Sequence, residues 1–349
     1  MRCAIYTYGG HERGMGHIYQ SRAIAQALSR NGSEVRFIVP DVPEGVAKLR
    51  EWGMDTSEIP HSISDGEKIA HIDAVLGEWS PDVVIVDILA SSPELMRYMA
   101  SVYNALISLD DIGEGRIFAD VLVNIIHHPE RPEGATYREV NDLNYVVLRP
   151  EFERVHRAQK KIPERGTKLL VSQGGSDTFG GVVELAKALK VLPEYVDIHL
   201  VLGSAFRHEE ALSEVIQQSE RRFFIERDVQ DMAGFMAGMD VAITGGGKTL
   251  FELAAAGVPI VAVTEEPREV ETMDIVARHV LCENMGWRRQ TGADRIAQTV
   301  DSLLCNQELR LAMSQSGKKA VDGGGAWRTA ELIAQTVSEK RVAVRERAL

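Results

Sequence analysis

The chain has 349 residues, of which 44% are hydrophobic and 26% charged, and this length and composition predict about two globular domains. The net charge of −12 argues against a protein whose main partner is nucleic acid or an anionic membrane, because both require a basic surface. Three widely spaced cysteines, no signal-peptide pattern and no apolar run near about 18 residues predict a cytoplasmic protein without a disulfide framework or a membrane span.

Short apolar runs alternate with amphipathic helical patterns along the first half of the chain. The runs predicted as strands are Arg2–Tyr8, Glu34–Val39, Val83–Val86, Ala105–Leu109, Val121–Asn124 and Tyr145–Leu148. The helical patterns are Ile18–Arg30, Pro43–Trp52, Gly66–Glu78 and Pro93–Tyr103. Most of these strands are continuously apolar, which is typical of parallel strands covered by helices on both faces. The first half therefore predicts a doubly wound α/β domain.

The same alternation restarts after the charged segment 151–167. The second set of predicted strands is Lys168–Gln173, Asp197–Leu202, Phe223–Ile225, Val241–Thr244 and Pro259–Val263. The predicted helices are Val182–Val191, Glu209–Gln218, Val229–Ala237, Thr249–Ala256 and Ala326–Lys340, followed by a solvated tail. We interpret 151–167 as a linker between domains 1–150 and 168–340, with the option that the final helix packs back on the first domain. Two Rossmann-like halves facing each other would enclose one central cleft.

Four glycines lie between positions 9 and 16, directly after the first strand. Gly14 and Gly16 precede His17 in a G-x-G-x-x-Y sequence that lacks the third glycine of the dinucleotide fingerprint, so a nicotinamide cofactor is not supported. Free N–H groups at the start of the following helix favour an anionic or electron-rich ligand, and the helix macrodipole favours a neutral imidazole. His17 is therefore the candidate general base, with a capping or structural role as the alternative.

A second glycine turn, Gly174-Gly175-Ser176, follows the strand that begins at Lys168. Its backbone amides and the Ser176 hydroxyl are suited to holding a phosphate at the start of a helix. The alternative interpretation is a tight turn with a helix N-cap.

A third glycine turn leads into the helix predicted over Thr249–Ala256. It is not a P-loop, because the position that requires the first glycine is Ala242. The candidate substrate ligands here are Gly246, Gly247, Lys248, Thr249 and Glu252. Glu252 could accept the two hydroxyls of a ribose or simply complement the helix dipole, and Lys248 could bind phosphate or remain a surface lysine.

Carboxylates end two strands of the first half, at the edge where site residues are expected. Asp87 ends one strand and Asp110-Asp111 the next, where they could bind a metal, orient a substrate or tune a histidine. No His, Asp or Glu cluster has metal-ligand spacing, so no obligatory metal is predicted. Arg22, one turn beyond His17, could neutralise an anion or pair with an acidic neighbour.

Taken in order, several segments resemble the GT-B superfamily of nucleotide-sugar enzymes. They are GMGHIYQSRAIAQAL, ISLDDIGEGRIFADVLVNI, YVVLRPEF, SQGGSD, GGGKTLFELAAAGVPIVAV and VDGGGAWRTAELI. Within the superfamily the chain is most similar to the UDP-sugar hydrolase of pseudaminic acid biosynthesis and to spore-coat polysaccharide biosynthesis proteins. The resemblance extends from Gly14 to about Val263 and again near the C-terminus.

The resemblance implies a GT-B fold with UDP bound mainly to the C-terminal half. The glycines of the second and third turns would hold the diphosphate, Glu252 the ribose, and the sugar would face the N-terminal loop. The catalytic histidine of the hydrolase corresponds to His17. In that enzyme a water attacks the anomeric carbon and UDP leaves, without a metal.

Two departures from the resemblance lie where a sugar would be recognised. Related transferases often carry an asparagine or glutamine pair where this chain has the acidic stretch Glu265–Thr272. An Asp-Tyr-His sequence of the family is replaced by Asp87-Ile88-Leu89. Both changes are compatible with a member that acts on a different sugar.

The function predicted first is a nucleotide-sugar hydrolase that releases UDP from a deoxy-acetamido sugar, with water activated by His17. The alternatives are a glycosyltransferase of cell-surface polysaccharide biosynthesis, which would use the same donor site, and a binding protein without activity. We find no apolar-basic patch in the first half of the sequence of the kind that lipid-acceptor transferases use, which favours the hydrolase. A UDP-sugar is the expected partner, and no cofactor is expected.

Overall fold

The computed structural model describes residues 1–10, 14–125, 130–175, 177–203 and 206–347. The chain forms two compact units. Unit 1 combines Met1–Arg149 with Gly324–Leu349, and unit 2 is Pro150–Gly323. Among the helices described, none combines the length and the apolar composition that a membrane span requires.

Unit 1 is built on a parallel sheet of seven strands, as far as the chain is described. The strands are β1 (Arg2–Thr7), β2 (Glu34–Pro40), β3 (Thr56–Ile59), β4 (Val83–Asp87), β5 (Leu106–Leu109), β6 (Val121–Val123) and β7 (Arg138–Val140). Their order across the sheet is β3-β2-β1-β4-β5-β6-β7. The direction of winding therefore reverses between β1 and β4, and open α/β sheets bind ligands at such a switch point.

Four helices connect the first strands of unit 1. They are α1 (Gly16–Arg30), α2 (Pro43–Glu51), α3 (Asp65–Leu76) and α4 (Pro93–Val102), with 3₁₀ helices at Gly77–Trp79, Glu114–Phe118 and Leu143–Tyr145. Local sequence determines several helix starts. Ser64 and Glu67 form a reciprocal capping box at α3, and Ser92 caps α4 ahead of Pro93.

Unit 2 repeats the arrangement with a parallel sheet of six strands, counted over the described residues. The strands are β8 (Lys168–Ser172), β9 (Asp197–Val201), β10 (Phe223–Glu226), β11 (Val241–Thr244), β12 (Ile260–Thr264) and β13 (Glu283–Trp287). Their order is β10-β9-β8-β11-β12-β13, so the winding reverses between β8 and β11. The helices are α5 (Glu151–Arg157), α6 (Gly181–Leu189), α7 (Glu209–Gln217), α8 (Met232–Ala237), α9 (Lys248–Ala255), α10 (Pro267–Val276), α11 (Ala293–Cys305) and α12 (Gln307–Ala320), with a 3₁₀ helix at Arg288–Gln290.

The central strands of both units are covered on both faces. Every residue of β4 in unit 1 and of β12 in unit 2 is buried, although successive side chains point to opposite faces of the sheet. This burial explains why both strands are apolar up to their last residues, Asp87 in β4 and Thr264 in β12. The predicted class, two doubly wound α/β halves, is confirmed.

Three strands at the sheet edges, β3, β7 and β13, are not predicted by the sequence analysis. Strands β3 and β7 are polar or alternating, because an edge strand has one exposed side and needs no apolar run. The prediction of a strand over Tyr145–Leu148 is wrong. Leu143–Tyr145 is a 3₁₀ helix, and the apolar residues after it are buried without joining the sheet.

The segment interpreted as a linker, 151–167, is partly helical. Helix α5 occupies its first residues because Phe152 and Val155 are buried against α8 and α9 of unit 2. The rest of the segment is tied to unit 2 by Arg310. Its guanidinium is fully buried and donates from Nη2 to the carbonyls of Pro163 and Glu164, at 2.9 and 3.0 Å.

The last helix, α13 (Gly325–Arg347), belongs to unit 1 and packs against α1. It buries an apolar stripe that includes Leu332, Ile333 and Val337. Lys340 also pairs with Asp120 of unit 1, with its Nζ 2.5 Å from Oδ1. The helix continues to Arg347, through the first residues of the tail that the sequence predicts to be solvated.

Candidate functional site

His17 lies at the carboxyl edge of the unit 1 sheet, at the switch point. It is the second residue of α1, which follows β1, and its side chain is 14% exposed. The chain before it doubles back, since the Gly10 N–H donates to the Gly14 carbonyl at 3.2 Å. Gly14 has a φ of +73°, a conformation that favours glycine, and Gly16 is the exposed first residue of the helix.

Asp87 ends β4, the strand next to β1, and its carboxylate contacts His17. The Nδ1 atom of His17 lies 2.6 Å from Oδ1 of Asp87. Because the carboxylate accepts, the proton of the neutral ring is on Nδ1, and Nε2 is left as the proton acceptor. The pair therefore has the geometry of a general base held in one tautomer and one orientation by a carboxylate.

The Asp87 carboxylate is fully buried and receives further donors from α1. Ser21 Oγ donates to Oδ2 at 2.7 Å, and Gln20 Nε2 donates to Oδ1 at 3.0 Å. Because the Asp87 side chain has no exposed surface, it is not accessible for the contact with a substrate that the sequence suggested. Of the roles that the sequence left open, the one this geometry provides is to orient a histidine.

Gln20 extends the arrangement to Asp110, the residue after β5. Its Nε2 also donates to Asp110 Oδ2 at 3.1 Å, and the Ile125 N–H donates to Asp110 Oδ1 at 3.2 Å. Asp110 has a φ of +47°, an uncommon conformation for a residue with a side chain. Sequence reasoning missed Gln20, since a buried glutamine on a helix carries no motif.

The neighbouring Asp111 serves the loop after β4 rather than a metal. It accepts from the Ser91 N–H at 3.0 Å and Oγ at 2.5 Å, from Ser108 Oγ at 2.7 Å and from the Gly113 N–H at 2.8 Å. Across the described residues, no group of three or more His, Cys, Asp or Glu side chains is arranged to hold a metal ion.

Two aromatic contacts distinguish the faces of α1. The ring of Tyr8, directly after β1, lies beside His17 with ring centroids 5.7 Å apart. The guanidinium carbon of Arg22 lies 4.1 Å from the centre of the Trp52 ring. The contact described for Arg22 is thus with Trp52. The ring beside His17 belongs to Tyr8, which sequence reasoning missed.

The second glycine turn follows β8, one of the two strands at the switch point of unit 2. Gly174 has a φ of +80°, and a Cβ atom placed on Gly203 would lie only 2.1 Å from the Gly175 carbonyl oxygen. Asp177 caps α6, accepting from the Gly181 N–H at 2.7 Å and the Val182 N–H at 3.0 Å. The cap reduces what α6 can offer an anion, so Gly174 and Gly175 would bind phosphate through the turn itself. Ser176 lies outside the described residues.

The third glycine turn follows β11, the other strand at this switch point. Gly247 is the N-cap of α9, so the capping residue has no side chain to accept from the first amides of the helix, which are suited to an anion. Lys248, Thr249 and Glu252 lie in the first turns of α9, and all three are half-buried. Glu252 follows Lys248 by four residues, so the two share a helix face.

A glutamate that sequence reasoning did not single out lies against this turn. The Oε2 atom of Glu269 accepts from the Glu265 N–H at 2.8 Å, and its carboxylate also interacts with the N–H groups of Glu266 and Gly246. A Cβ atom on Gly246 would lie 3.0 Å from the Glu269 Cβ, so the turn packs directly on this residue. Burial raises the pKa of the Glu269 carboxyl, and those backbone donors oppose the rise.

One glutamate of the acidic stretch that includes Glu269 is paired with an arginine elsewhere in unit 2. Arg288 Nε lies 2.6 Å from Oε1 of Glu265, and both side chains are mostly buried. Burial raises the pKa of the Glu265 carboxyl, and the bond to Arg288 opposes this. Trp287 Nε1 also donates to the Glu265 carbonyl at 3.0 Å. Glu265 is therefore part of an internal ion pair in unit 2.

No protein-family model matches the chain. The spore coat polysaccharide biosynthesis protein SpsG of Bacillus subtilis (strain 168) is 25% identical over 344 residues, covering 95% of this chain and 98% of that protein. The uncharacterized protein MJ1062 of Methanocaldococcus jannaschii is 27% identical over 286 residues, covering 78% of this chain. The match covers 58% of MJ1062, so the chain spans less than two thirds of that protein.

Solved structures match nearly the whole chain. MurG of Acinetobacter baumannii superposes with a TM-score of 0.68 at 14% identity, covering 96% of this chain and 100% of that one. UDP-GlcNAc 2-epimerase of Neisseria meningitidis, bound to UDP-GlcNAc, gives 0.63 at 9% identity, with coverage of 96% and 100%. CalG4, the calicheamicin glycosyltransferase, gives 0.63 at 13% identity, with coverage of 97% and 98%.

At these low sequence identities, similarity to the solved structures shows the fold and not the function. The coverage extends over both parallel α/β units, each with its own switch point. The chain has the GT-B fold, and the resemblance to the GT-B superfamily that its motifs predict is confirmed.

Proposed function

We propose that the protein is a glycosyltransferase that uses a UDP-sugar donor in the biosynthesis of a cell-surface polysaccharide. The observation that carries the proposal is the contact between His17 and Asp87 at the switch point of unit 1. An oriented imidazole with Nε2 as acceptor is suited to removing a proton from a hydroxyl group as that group becomes a nucleophile.

In the proposed step, an acceptor hydroxyl attacks the anomeric carbon of the sugar. Its proton passes to Nε2 of His17, a new bond forms between the oxygen and the anomeric carbon, and the bond to the β-phosphate oxygen breaks. UDP leaves with that electron pair. Asp87 stabilises the imidazolium that forms and does not itself take the proton.

Unit 2 would hold the nucleotide at its own switch point. Amides of the turns at Gly174-Gly175 and Gly246-Gly247, with those at the start of α9, are suited to the diphosphate, and Glu252 to the ribose hydroxyls. Such donors would also stabilise the negative charge that grows on the leaving diphosphate. The nucleotide contacts and the proton acceptor are thus assigned to different units.

Transfer is placed first because of what the similar proteins are. SpsG is named for spore coat polysaccharide biosynthesis and aligns over 95% of the chain, and CalG4 is a glycosyltransferase of the same fold. The second candidate is a UDP-sugar hydrolase, in which water replaces the acceptor. The sequence Gly14-Met15-Gly16-His17 favours it, because it resembles the hydrolase motif that carries a catalytic histidine.

The deciding experiment measures UDP release by purified protein from a panel of UDP-sugars, with and without candidate acceptors. A nucleotide is chosen first by thermal unfolding with UDP, GDP, CMP and dTDP, since a ligand at 100 times its Kd stabilises by about 2.7 kcal/mol. Acceptor-dependent release supports transfer, and release into water alone supports the hydrolase. If no nucleotide raises Tm and no UDP-sugar is consumed, the proposal is wrong.

A further inference from the structure

Glu269 places a carboxylate at the glycine turn where the proposed function puts the diphosphate. It is the third residue of α10, and the Glu265 N–H donates to its Oε2 at 2.8 Å. Its carboxylate also interacts with the Gly246 N–H. A Cβ atom on Gly245 would lie 3.6 Å from both Glu269 carboxylate oxygens. The side chain thus reaches from its own helix to the backbone of the turn.

A phosphate that binds this turn meets an anion already in contact with one of its amides. Two negative groups sharing one set of donors repel each other strongly when both are partly buried. A protonated carboxyl would remove the repulsion and could donate its O–H to a phosphate oxygen. Its burial already lowers the free energy needed to protonate this group.

We infer that Glu269 couples nucleotide binding to proton uptake: a nucleoside diphosphate binds the Gly245–Gly247 turn together with one proton, taken from solvent onto the Glu269 carboxyl. The inference deepens the proposed function and rests on it, since it assumes a diphosphate at this turn. If so, the protonation state of Glu269 determines how much negative charge on a phosphate the site tolerates. Glu269 lies in the stretch where related transferases often carry an asparagine or glutamine pair.

Charged and polar groups from several elements surround Glu269. Glu266, the N-cap of the same helix, adds negative charge, and Glu265 is paired with Arg288. From the facing elements, the neutral Gln173 follows β8, and Lys248 begins α9 at the end of the turn. What opposes the rise in the pKa of the Glu269 carboxyl is the set of backbone N–H groups of Glu265, Glu266 and Gly246.

The test is calorimetric titration of the whole protein with UDP between pH 6 and 8, in two buffers of different ionisation enthalpy. The wild type is compared with Glu269→Gln, which keeps the shape and an acceptor for the Glu265 N–H. Glu271→Gln, exposed on the same helix, is the matched control. The titration of UDP itself, whose terminal phosphate has a pKa of about 6, appears in all three and so forms the baseline.

Wild type and Glu271→Gln should take up protons in excess of Glu269→Gln, and their Kd for UDP should rise with pH more steeply, by up to about tenfold per unit. Glu269→Gln should bind more tightly than wild type at pH 8. Equal proton uptake and parallel pH dependence in all three proteins would overturn the inference while leaving the proposed function in place. If UDP and the other nucleotides bind none of them, the proposed function fails and the inference falls with it.

A second variant guards against a folding defect in Glu269→Gln. Glu269→Asp keeps the charge but shortens the side chain by one methylene, which withdraws the carboxylate from the Gly246 amide. We expect proton uptake between those of wild type and Glu269→Gln. If Glu269→Asp takes up as many protons as wild type, the contact of the carboxylate with the turn is not the cause of the proton uptake.

Discussion

Asp87 and His17 are 70 residues apart in the chain, yet Oδ1 of one and Nδ1 of the other are 2.6 Å apart. The contact exists because β1 and β4 are neighbours in the sheet, paired in register from Cys3 with Val83 to Thr7 with Asp87. The helix that follows β1 then carries His17 back over the end of β4. A bond from Thr7 Oγ1 to the Asp87 carbonyl, at 3.0 Å, holds the two strand ends together.

Replacing the histidine should abolish chemistry and spare nucleotide binding. We expect His17→Ala to lower the rate of UDP release by about 10²–10⁴-fold, because the general base is lost. UDP affinity should be retained, since the nucleotide contacts are assigned to unit 2. His61→Ala is the control, because His61 makes a similar pair with Asp41, Nδ1 to Oδ1 at 2.7 Å, on the exposed surface. Unchanged turnover in His17→Ala would remove this residue from the mechanism.

Replacing the aspartate tests orientation rather than proton transfer. In Asp87→Asn, the amide can donate to Nδ1 and leave the proton on Nε2, which is the tautomer that cannot act as a base. We expect kcat to fall by about 10²-fold or more with KM for the UDP-sugar little changed, and Asp41→Asn to behave as wild type. A raised KM with an unchanged kcat would instead mean that Asp87 contacts the substrate, which is one of the roles that the sequence analysis left open.

Glu269 should make the free energy of unfolding depend on pH. Burial raises the folded-state pKa of this carboxyl above its ordinary 4.5, so the associated stability is present below that value and is lost as pH rises through the folded pKa. Glu269→Gln, neutral at every pH, should therefore be more stable than wild type at pH 7–8, by on the order of 1 kcal/mol or about 2–4 °C in Tm. The difference should shrink towards pH 4. A pH-independent difference, measured by thermal unfolding, would argue that the effect is not electrostatic.

The last helix should contribute to unit 1 through its buried stripe. Ile333 is fully buried, whereas Val342 on the same helix is 51% exposed. We expect Ile333→Ala to cost about 2–5 kcal/mol and Val342→Ala little, because only the first opens a cavity. Denaturant unfolding followed by a probe in unit 1 measures both. Similar costs for the two variants would contradict the packing of α13 described above.

Much of the fold was predictable because central parallel strands leave a clear pattern. Strands such as β4 and β12 are buried on both faces, so their residues are apolar up to the polar residue that ends each strand at the edge of the sheet. The edge strands β3 and β7 were not predicted because each buries a single side chain, Ile59 in β3 and Val140 in β7. Residues Tyr145–Leu148 were misassigned for the opposite reason, since their apolar side chains are buried outside the sheet.

The site was predictable in its glycines and only partly in its side chains. The turns around Gly14, Gly174 and Gly246 stand out because a backbone that approaches a ligand or another chain segment closely must lack Cβ atoms. Gln20 and Glu269 did not stand out. A glutamine inside a helix and a glutamate in an acidic stretch are common, and their roles depend on partners 67 residues away or on a separate loop.

The amino-acid sequence alone determined the alternation of strand and helix, the glycine turns and the position of His17 at the start of a helix, because each depends on neighbours within a few residues. The strand order, the contact of His17 with Asp87 and the contact of Glu269 with its glycine turn were decided by the tertiary structure. Pairing between strands is set by packing over long separations in the chain, so a local pattern contains the residues of a site but not their distances.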